Sequence, residues 1–183
     1  MDNQVKVDQS KKPKISWVCL GVYVGVSIVL LTADLLSKHF IAAAYNLGDS
    51  FRIIPGFIGG HYTRNDGMAF GWFSGGRWWL IGISILILVI GMIAYLLHTK
   101  FFRKKKHWLM HAGAALFLAG ALGNLVDRIF LGYVRDFIRF DFWSGFPIFN
   151  LADVFINISV IVIIIYIIFL DRGNNDKSND NKT

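Results

Sequence analysis

Four long apolar runs limit what this chain can fold into: Ile15 to Ala33, Trp78 to Leu97, Trp108 to Val126 and Val154 to Leu170. Each is close to the roughly 20 residues that cross a hydrocarbon layer as a helix. A water-soluble core of 183 residues, 55% of them hydrophobic with a mean hydropathy of +0.50, has no room to hide four such runs. The pattern predicts an all-α membrane protein with four transmembrane helices in one domain over residues 1–170. The residues that follow, 171–183, rich in Asn, Asp and Lys, read as a disordered polar cytoplasmic tail.

Lysines 6, 11, 12 and 14 ahead of the first run resemble the basic start of a secretory signal peptide. The run is too long for that role and no small-x-small cleavage site follows it, so a permanent helix is expected. Cys19, the single cysteine, follows bulky Val18 and is read as an ordinary helix residue. The net charge of +7 does not point to nucleic acid, because the cations gather in short segments beside the apolar runs: the four lysines above, then Lys100, Arg103, Lys104, Lys105 and Lys106. The positive-inside rule puts those segments, and after four spans both termini, in the cytoplasm. The segments from about Ile41 to Arg77 and from Ile129 to Leu151 then lie outside.

Neither outer segment is a plain hydrophilic connector. Phe51-Arg-Ile-Ile-Pro-Gly-Phe-Ile and His61 to Gly71 read as short strands around an Asn-Asp-Gly turn, a small extracytoplasmic β-rich segment. Val134 to Trp143 mixes charges and aromatics without a period and is expected to be interfacial or re-entrant. Ala115, Ala119 and Gly123 form a small-residue stripe that makes the third helix the central one. The second, rich in Leu, Ile and Val and without a charge, is expected to face lipid.

All 12 acidic residues are aspartates, and several stand where a carboxylate is costly, on the order of 3 kcal/mol at a membrane centre. Asp34 closes the first run, Asp127 closes the third, Asp153 opens the fourth, and Asp136 lies in the second outer segment. Lys38, one turn after Asp34, suggests an ion pair with a structural role. Asp127, Arg128 and Asn124 suggest a polar network. Asp136 and Asp153 have no cation on their own helices, although Arg135 and Arg139 flank Asp136 and allow a simple salt bridge, and Asp153 is suited to a helix N-terminus. Two carboxylates in a low-dielectric site share a proton, so that one accepts a proton from water while the other donates to a leaving group. The helix dipole favours a charged Asp153, making Asp136 the better neutral acid. The histidines lack ligand spacing and no Gly-x-Ser-x-Gly is present, so neither a metal nor any other cofactor is expected.

The segments Asn65-Asp-Gly-Met-Ala-Phe70, Gly123-Asn-Leu-Val-Asp-Arg128, Val134-Arg-Asp-Phe-Ile138 and Phe149-Asn-Leu-Ala-Asp153, with Asp34-Leu-Leu-Ser-Lys38 ahead of them, resemble the signature blocks of the lipoprotein signal peptidases, also called signal peptidase II. The blocks occur in that family's order across residues 15 to 170. The resemblance implies an aspartic endopeptidase of the bacterial cytoplasmic membrane with Asp136 and Asp153 catalytic. It puts Asn65, Asn124, Arg128 and Asn150 on positions that line the site or contact substrate. It further implies cleavage before a diacylglyceryl-modified cysteine of a prolipoprotein, near the outer face, and inhibition by globomycin-type peptides. Membrane lipids are the other expected partners, and a monomer is compatible with all of this. A small proton-coupled transporter or channel also uses membrane aspartates, but these cluster at one face and not at the midplane. A lipid-phosphate transferase would want more basic residues than Arg128.

Overall fold

A computed structural model describes residues 17–67, 76–101 and 108–171. The lysines at 6–14, residues 68–75 with the end of the first signature block, residues 102–107 and the polar tail from 172 lie outside the described residues, as does the side chain of Cys19. Four helices are long and apolar enough to cross a membrane. They are α1 (Trp17–Ala44), α2 (Arg77–Phe101), α3 (Trp108–Phe130) and α4 (Leu151–Ile165), the last running on as a π-helical turn, Tyr166–Asp171. The α1–α2 and α3–α4 connections supply β1 (Ser50–Ile54), β2 (Ile58–Asn65) and β3 (Val134–Phe140) in one antiparallel sheet of order β1-β2-β3. This is the expected multi-pass helical protein with a small sheet.

The bundle is organised around α3, which packs against α1, α2 and α4. Its small residues permit this. Ala115 and Ala119 are buried, and a Cβ on Gly120 would stand 2.5 Å from the Ala152 carbonyl oxygen of α4. A Cβ on Gly123 would collide with the Asp34 carboxylate. The outward faces carry the apolar side chains, such as Val29 of α1 and Ile90 of α2, while the largest fully buried side chains include Lys38, Asn150, Asp34, Asp127 and Asp136. Lipid takes the apolar surface and the polar groups turn to one another, as a hydrocarbon solvent requires.

Three expectations need correction. The first helix does not end at Ala33 but continues to Ala44, carrying Asp34 and Lys38 within it. Lys38 Nζ lies 2.8 Å from Asp34 Oδ2 with both side chains fully buried, so the charged turn neutralises itself and the helix passes through it. The hairpin turn between β1 and β2 falls at Pro55-Gly56 and not at Asn65-Asp66-Gly67. Phe57 N–H donates to the Ile54 carbonyl at 3.0 Å and Gly56 has φ +75°, the signature of a turn with Pro second and Gly third. Finally, the stretch that shows no period in the sequence contains a regular strand, Val134–Phe140, paired with β2. Its alternation is hidden in the sequence because Asp136 occupies a buried position on the same side as Val134, where period-two reasoning looks for an apolar residue.

Candidate active site

The N-terminus of α4 begins the site. Asn150 is the N-cap, its Oδ1 accepting from Asp153 N–H at 3.1 Å while Asp153 Oδ2 accepts from Asn150 N–H at 3.1 Å. This reciprocal capping box holds the Asp153 carboxylate against the first turn, where the helix dipole favours negative charge. Asp153 Oδ1 accepts a further hydrogen bond from Asn124 Nδ2 of α3 at 2.7 Å.

Strand β3 brings the second carboxylate. In register with Thr63 of β2, Asp136 is buried at 2% exposure and accepts from Asn150 Nδ2 at Oδ1 (2.6 Å) and from Asn65 Nδ2 at Oδ2 (2.9 Å). Asn150 therefore ties the two aspartates together, its side chain to Asp136 and its backbone to Asp153. Burial, and then the nearby charge of Asp153, push the Asp136 carboxyl up to about 7. The hydrogen bonds from Asn65 and Asn150 and the charge of Lys38 act the other way without cancelling this.

Asp136, Asp153, Asn65, Asn124 and Arg128 line a single open cavity of about 660 Å³. Arg128 donates from Nη2 to the Gly67 carbonyl at 3.3 Å, while its buried Nε has no hydrogen-bond partner among the described residues. The cavity is also lined by apolar groups, Phe140, Phe146 and Phe149 from β3 and the segment after it and Ile158 and Ile161 from α4. Asn150 lies beneath the cavity floor, fully buried.

Asp34, Lys38 and Asp127 form a layer below. Asp34 accepts from Lys38 and from Ala152 N–H (2.9 Å), so it fixes the start of α4 as well as its own helix. Asp127 is held by Arg135, through Nη2 at 2.7 Å, Nε at 3.1 Å and the backbone N–H at 3.1 Å. The expected network of Asp127 with Arg128 and Asn124 is thus differently wired: Asp127 turns to Arg135, and Arg128 and Asn124 turn to the cavity. The flanking arginines do not neutralise Asp136, since Arg135 is taken by Asp127 and Arg139 by Asp141 at 3.1 Å.

Sequence reasoning missed two participants. Asn157 lines the cavity, donating to the Asp153 carbonyl at 2.9 Å, and its position one turn after Asp153 was a usable signal. Arg135 was weighed only as a salt-bridge partner of its sequence neighbour Asp136, although side chains of adjacent strand residues point to opposite faces and Arg135 reaches Asp127. Among the described residues no group of three His, Cys, Asp or Glu side chains could hold a metal ion. What the site offers is a pair of carboxylates, one with its proton retained toward neutrality, amide donors around both, and an open cavity with apolar walls.

A four-span membrane protein with a two-carboxylate cavity at one end of its bundle has the architecture of an intramembrane hydrolase. The chain belongs to the signal peptidase (SPase) II family, whose model matches residues 26–169, and so is a membrane protease. It is 36% identical over 151 residues to the lipoprotein signal peptidase of Lactobacillus gasseri, covering 82% of this chain and 94% of that one. With the lipoprotein signal peptidase of Staphylococcus aureus it shares 35% over 159 residues, 86% of this chain and 94% of the relative. A solved structure described as a bacterial membrane enzyme at 2.3 Å resolution superposes with a TM-score of 0.72 at 35% identity, covering 86% of this chain and 92% of the other. A second, at 1.9 Å resolution, gives 0.71 at 36% identity over 82% and 94%.

Proposed function

We propose that this chain removes signal peptides from bacterial prolipoproteins by aspartic catalysis, with Asp136 and Asp153 as the dyad and the cut falling before a diacylglyceryl-modified cysteine. The observation that carries the reading is Asn150, whose side chain and backbone N–H hold the two carboxylates at the rim of one cavity. In this mechanism a water lies between the aspartates. Asp153, held as a hydrogen-bond acceptor by the helix start and by Asn124, takes a proton from that water as its oxygen attacks the scissile carbonyl carbon. Asp136, whose carboxyl is kept protonated toward pH 7, gives its proton to the departing amine nitrogen. The Nε of Arg128, without a partner among the described residues, and the amide of Asn65 supply donors for substrate carbonyl oxygens. The lipid chains of the modified cysteine remain in the bilayer beside Ile158 and Ile161.

The lysine clusters and the positive-inside rule support cytoplasmic termini with the dyad near the outer face. Residues 1–170 act as one protease domain and the dyad needs no cofactor. A globomycin-type cyclic peptide would occupy the same cavity.

Purified protein and a diacylglyceryl-modified prolipoprotein, with cleavage followed on a gel, test the dyad. Asp136→Asn and Asp153→Asn, which keep size and remove the titrating proton, are each expected to lower turnover on the order of a hundredfold or more. The double variant should be little worse than either single one, because groups that act as a unit fail together. Retention of more than about a tenth of the turnover by either folded variant, a barrier change under ~1.4 kcal/mol, would rule the dyad out.

A further inference from the structure

Three asparagines surround the two aspartates, and each presents its amide nitrogen to a carboxylate because its oxygen is held elsewhere. For two of them the oxygen is held by a backbone N–H: Asn65 Oδ1 accepts from Gly67 at 3.1 Å, and Asn150 Oδ1 from Asp153 at 3.1 Å. Asn124 differs. Its Oδ1 accepts from Lys38 Nζ, an ammonium on another helix, at 3.0 Å, with Asn150 Nδ2 adding a neutral donor at 3.1 Å.

An ammonium has three protons and no lone pair, so the Asn124 atom beside it must be the oxygen. That fixes the amide. Its nitrogen is turned the other way, to Asp153 Oδ1 at 2.7 Å, and can only donate there. Were Lys38 absent, the amide could rotate by half a turn and offer its oxygen to Asp153, a pairing that requires a proton on Asp153. The charge-assisted bond from Lys38 is roughly twice as strong as a neutral one, so the ammonium dominates the choice.

We propose that Lys38 is a positioning residue of the reaction: through Asn124 it keeps Asp153 a hydrogen-bond acceptor, which leaves the shared proton to Asp136. The inference rests on the dyad reading above and assigns Lys38 a role beyond the helix-anchoring ion pair with Asp34. The geometry is economical for this purpose. Lys38 is fully buried, its protons go to Asp34 Oδ2 (2.8 Å) and Asn124 Oδ1, and Asp127 Oδ2 stands at 3.9 Å. Asp34 therefore holds the ammonium, the ammonium holds the amide, and the amide holds the dyad. The groups that face Lys38 are Asp34 from its own helix and Asn124 and Asp127 from α3. Those that bear on Asp136 are Asp153 from α4, Arg128 and Asn124's neighbour Lys38 from the bundle, and the amides of Asn65 and Asn150. The positive charge of Lys38 favours the ionised form of Asp136, so its removal should move the alkaline limb of the pH profile upward.

The test is a double-mutant cycle in the full-length protein, with kcat, KM and pH dependence measured on a lipid-modified prolipoprotein and melting followed in the same detergent. Lys38→Met is expected to lower kcat by about tenfold or more with KM within about threefold, and to shift the alkaline limb to higher pH. In an Asn124→Ala background the same Lys38→Met change should cost less than about threefold, because the amide through which it acts is gone.

If Lys38→Met does not fold, Asp34→Asn with Lys38→Met removes the buried pair together, leaves an amide oxygen at position 34 for Ala152 N–H, and carries the same measurements. A lysine that only anchors helices would give an equal cost in both backgrounds, an unmoved pH limb, or full activity in whichever variant melts normally; any of these overturns the proposal. The dyad can fail separately. Activity retained by Asp136→Asn refutes the dyad itself, whereas an inactive Asp136→Asn together with an additive cycle refutes only the role of Lys38.

Discussion

Removing the amide of Asn65 should displace the pH dependence of cleavage in a direction that the geometry dictates. Asn65 Nδ2 donates to Asp136 Oδ2 at 2.9 Å, and this bond is stronger to a carboxylate than to a carboxyl group. It therefore lowers the Asp136 pKa, working against burial and the charge of Asp153, which together leave it at about 7. A hydrogen bond to a charged group contributes roughly 1.5–3 kcal/mol, and one pKa unit is about 1.4 kcal/mol, so losing it outright would raise the pKa by about one to two units. Because the cavity is open, a water replaces part of the lost donor, and the expected rise is about half to one unit.

The sign in the rate follows from the role of the proton. A dyad that shares one proton loses activity when pH rises through the upper pKa, so kcat/KM should fall through about 7 in the unsubstituted protein. In Asn65→Ala the plateau is lower but the fall comes at higher pH. The assay is cleavage of a lipid-modified peptide across pH 5 to 9 at substrate well below KM, with melting checked at each end. An alkaline limb that stays put, or moves toward acid, would show that Asp136 is not the group being titrated.

Two further outcomes follow from packing and topology. Gly120→Ala places a methyl 2.5 Å from the Ala152 carbonyl oxygen and 2.8 Å from Ile156 Cγ1, overpacking expected to cost about 1–3 kcal/mol, whereas Gly82→Ala meets nothing within 4 Å and should melt no lower than the parent. Equal melting temperatures would contradict the α3–α4 packing described above. In a Cys19→Ser background, an impermeant thiol reagent applied from outside should label Arg52→Cys of β1 and leave Lys104→Cys untouched until the membrane is opened; the reverse pattern would invert the topology.

How much of this was legible depended on whether the determining interaction is local. The four spans were, because a membrane helix must satisfy its own backbone and be apolar over its own length. The end of α1 was not: Asp34 and Lys38 look like an exit from the membrane until Asn124, Asp127 and Ala152, all more than 80 residues away, supply partners that keep them inside. The hairpin turn was misplaced because Asn-Asp-Gly is a strong turn signal, yet Pro55-Gly56 sits at the midpoint where β1 and β2 come into register. For the site, the aspartates were identifiable by type and position, since a carboxylate in an apolar context is informative by itself. Their wiring was not. Which arginine takes which aspartate is decided by strand alternation on β3, and β3 itself was hidden by the buried Asp136.

The polar groups beneath the cavity also bear on why, of Asp34, Asp127, Asp136 and Asp153, it is Asp136 that is suited to hold a proton. A buried carboxylate needs donors to replace its water, above all donors that carry charge. Asp34 has the Lys38 ammonium and a backbone N–H. Asp127 has the guanidinium of Arg135 in a two-point contact, and a backbone N–H besides. Asp153 has the backbone N–H of the N-cap, the Asn124 amide and the start of α4. Asp136 is left with two neutral amides and the field of Asp153 beside it, and among the described residues no ammonium or guanidinium donates to it. Lys38 and Arg135 are taken by Asp34 and Asp127, and Arg128 reaches Asp136 only through its field, so among the described residues no cation donates to the one carboxylate placed in a strand at the cavity wall. Replacing Asn65, at the cavity wall, with lysine is expected to ionise Asp136 and abolish prolipoprotein cleavage while melting stays at that of the parent; cleavage retained by a variant that melts normally would refute this.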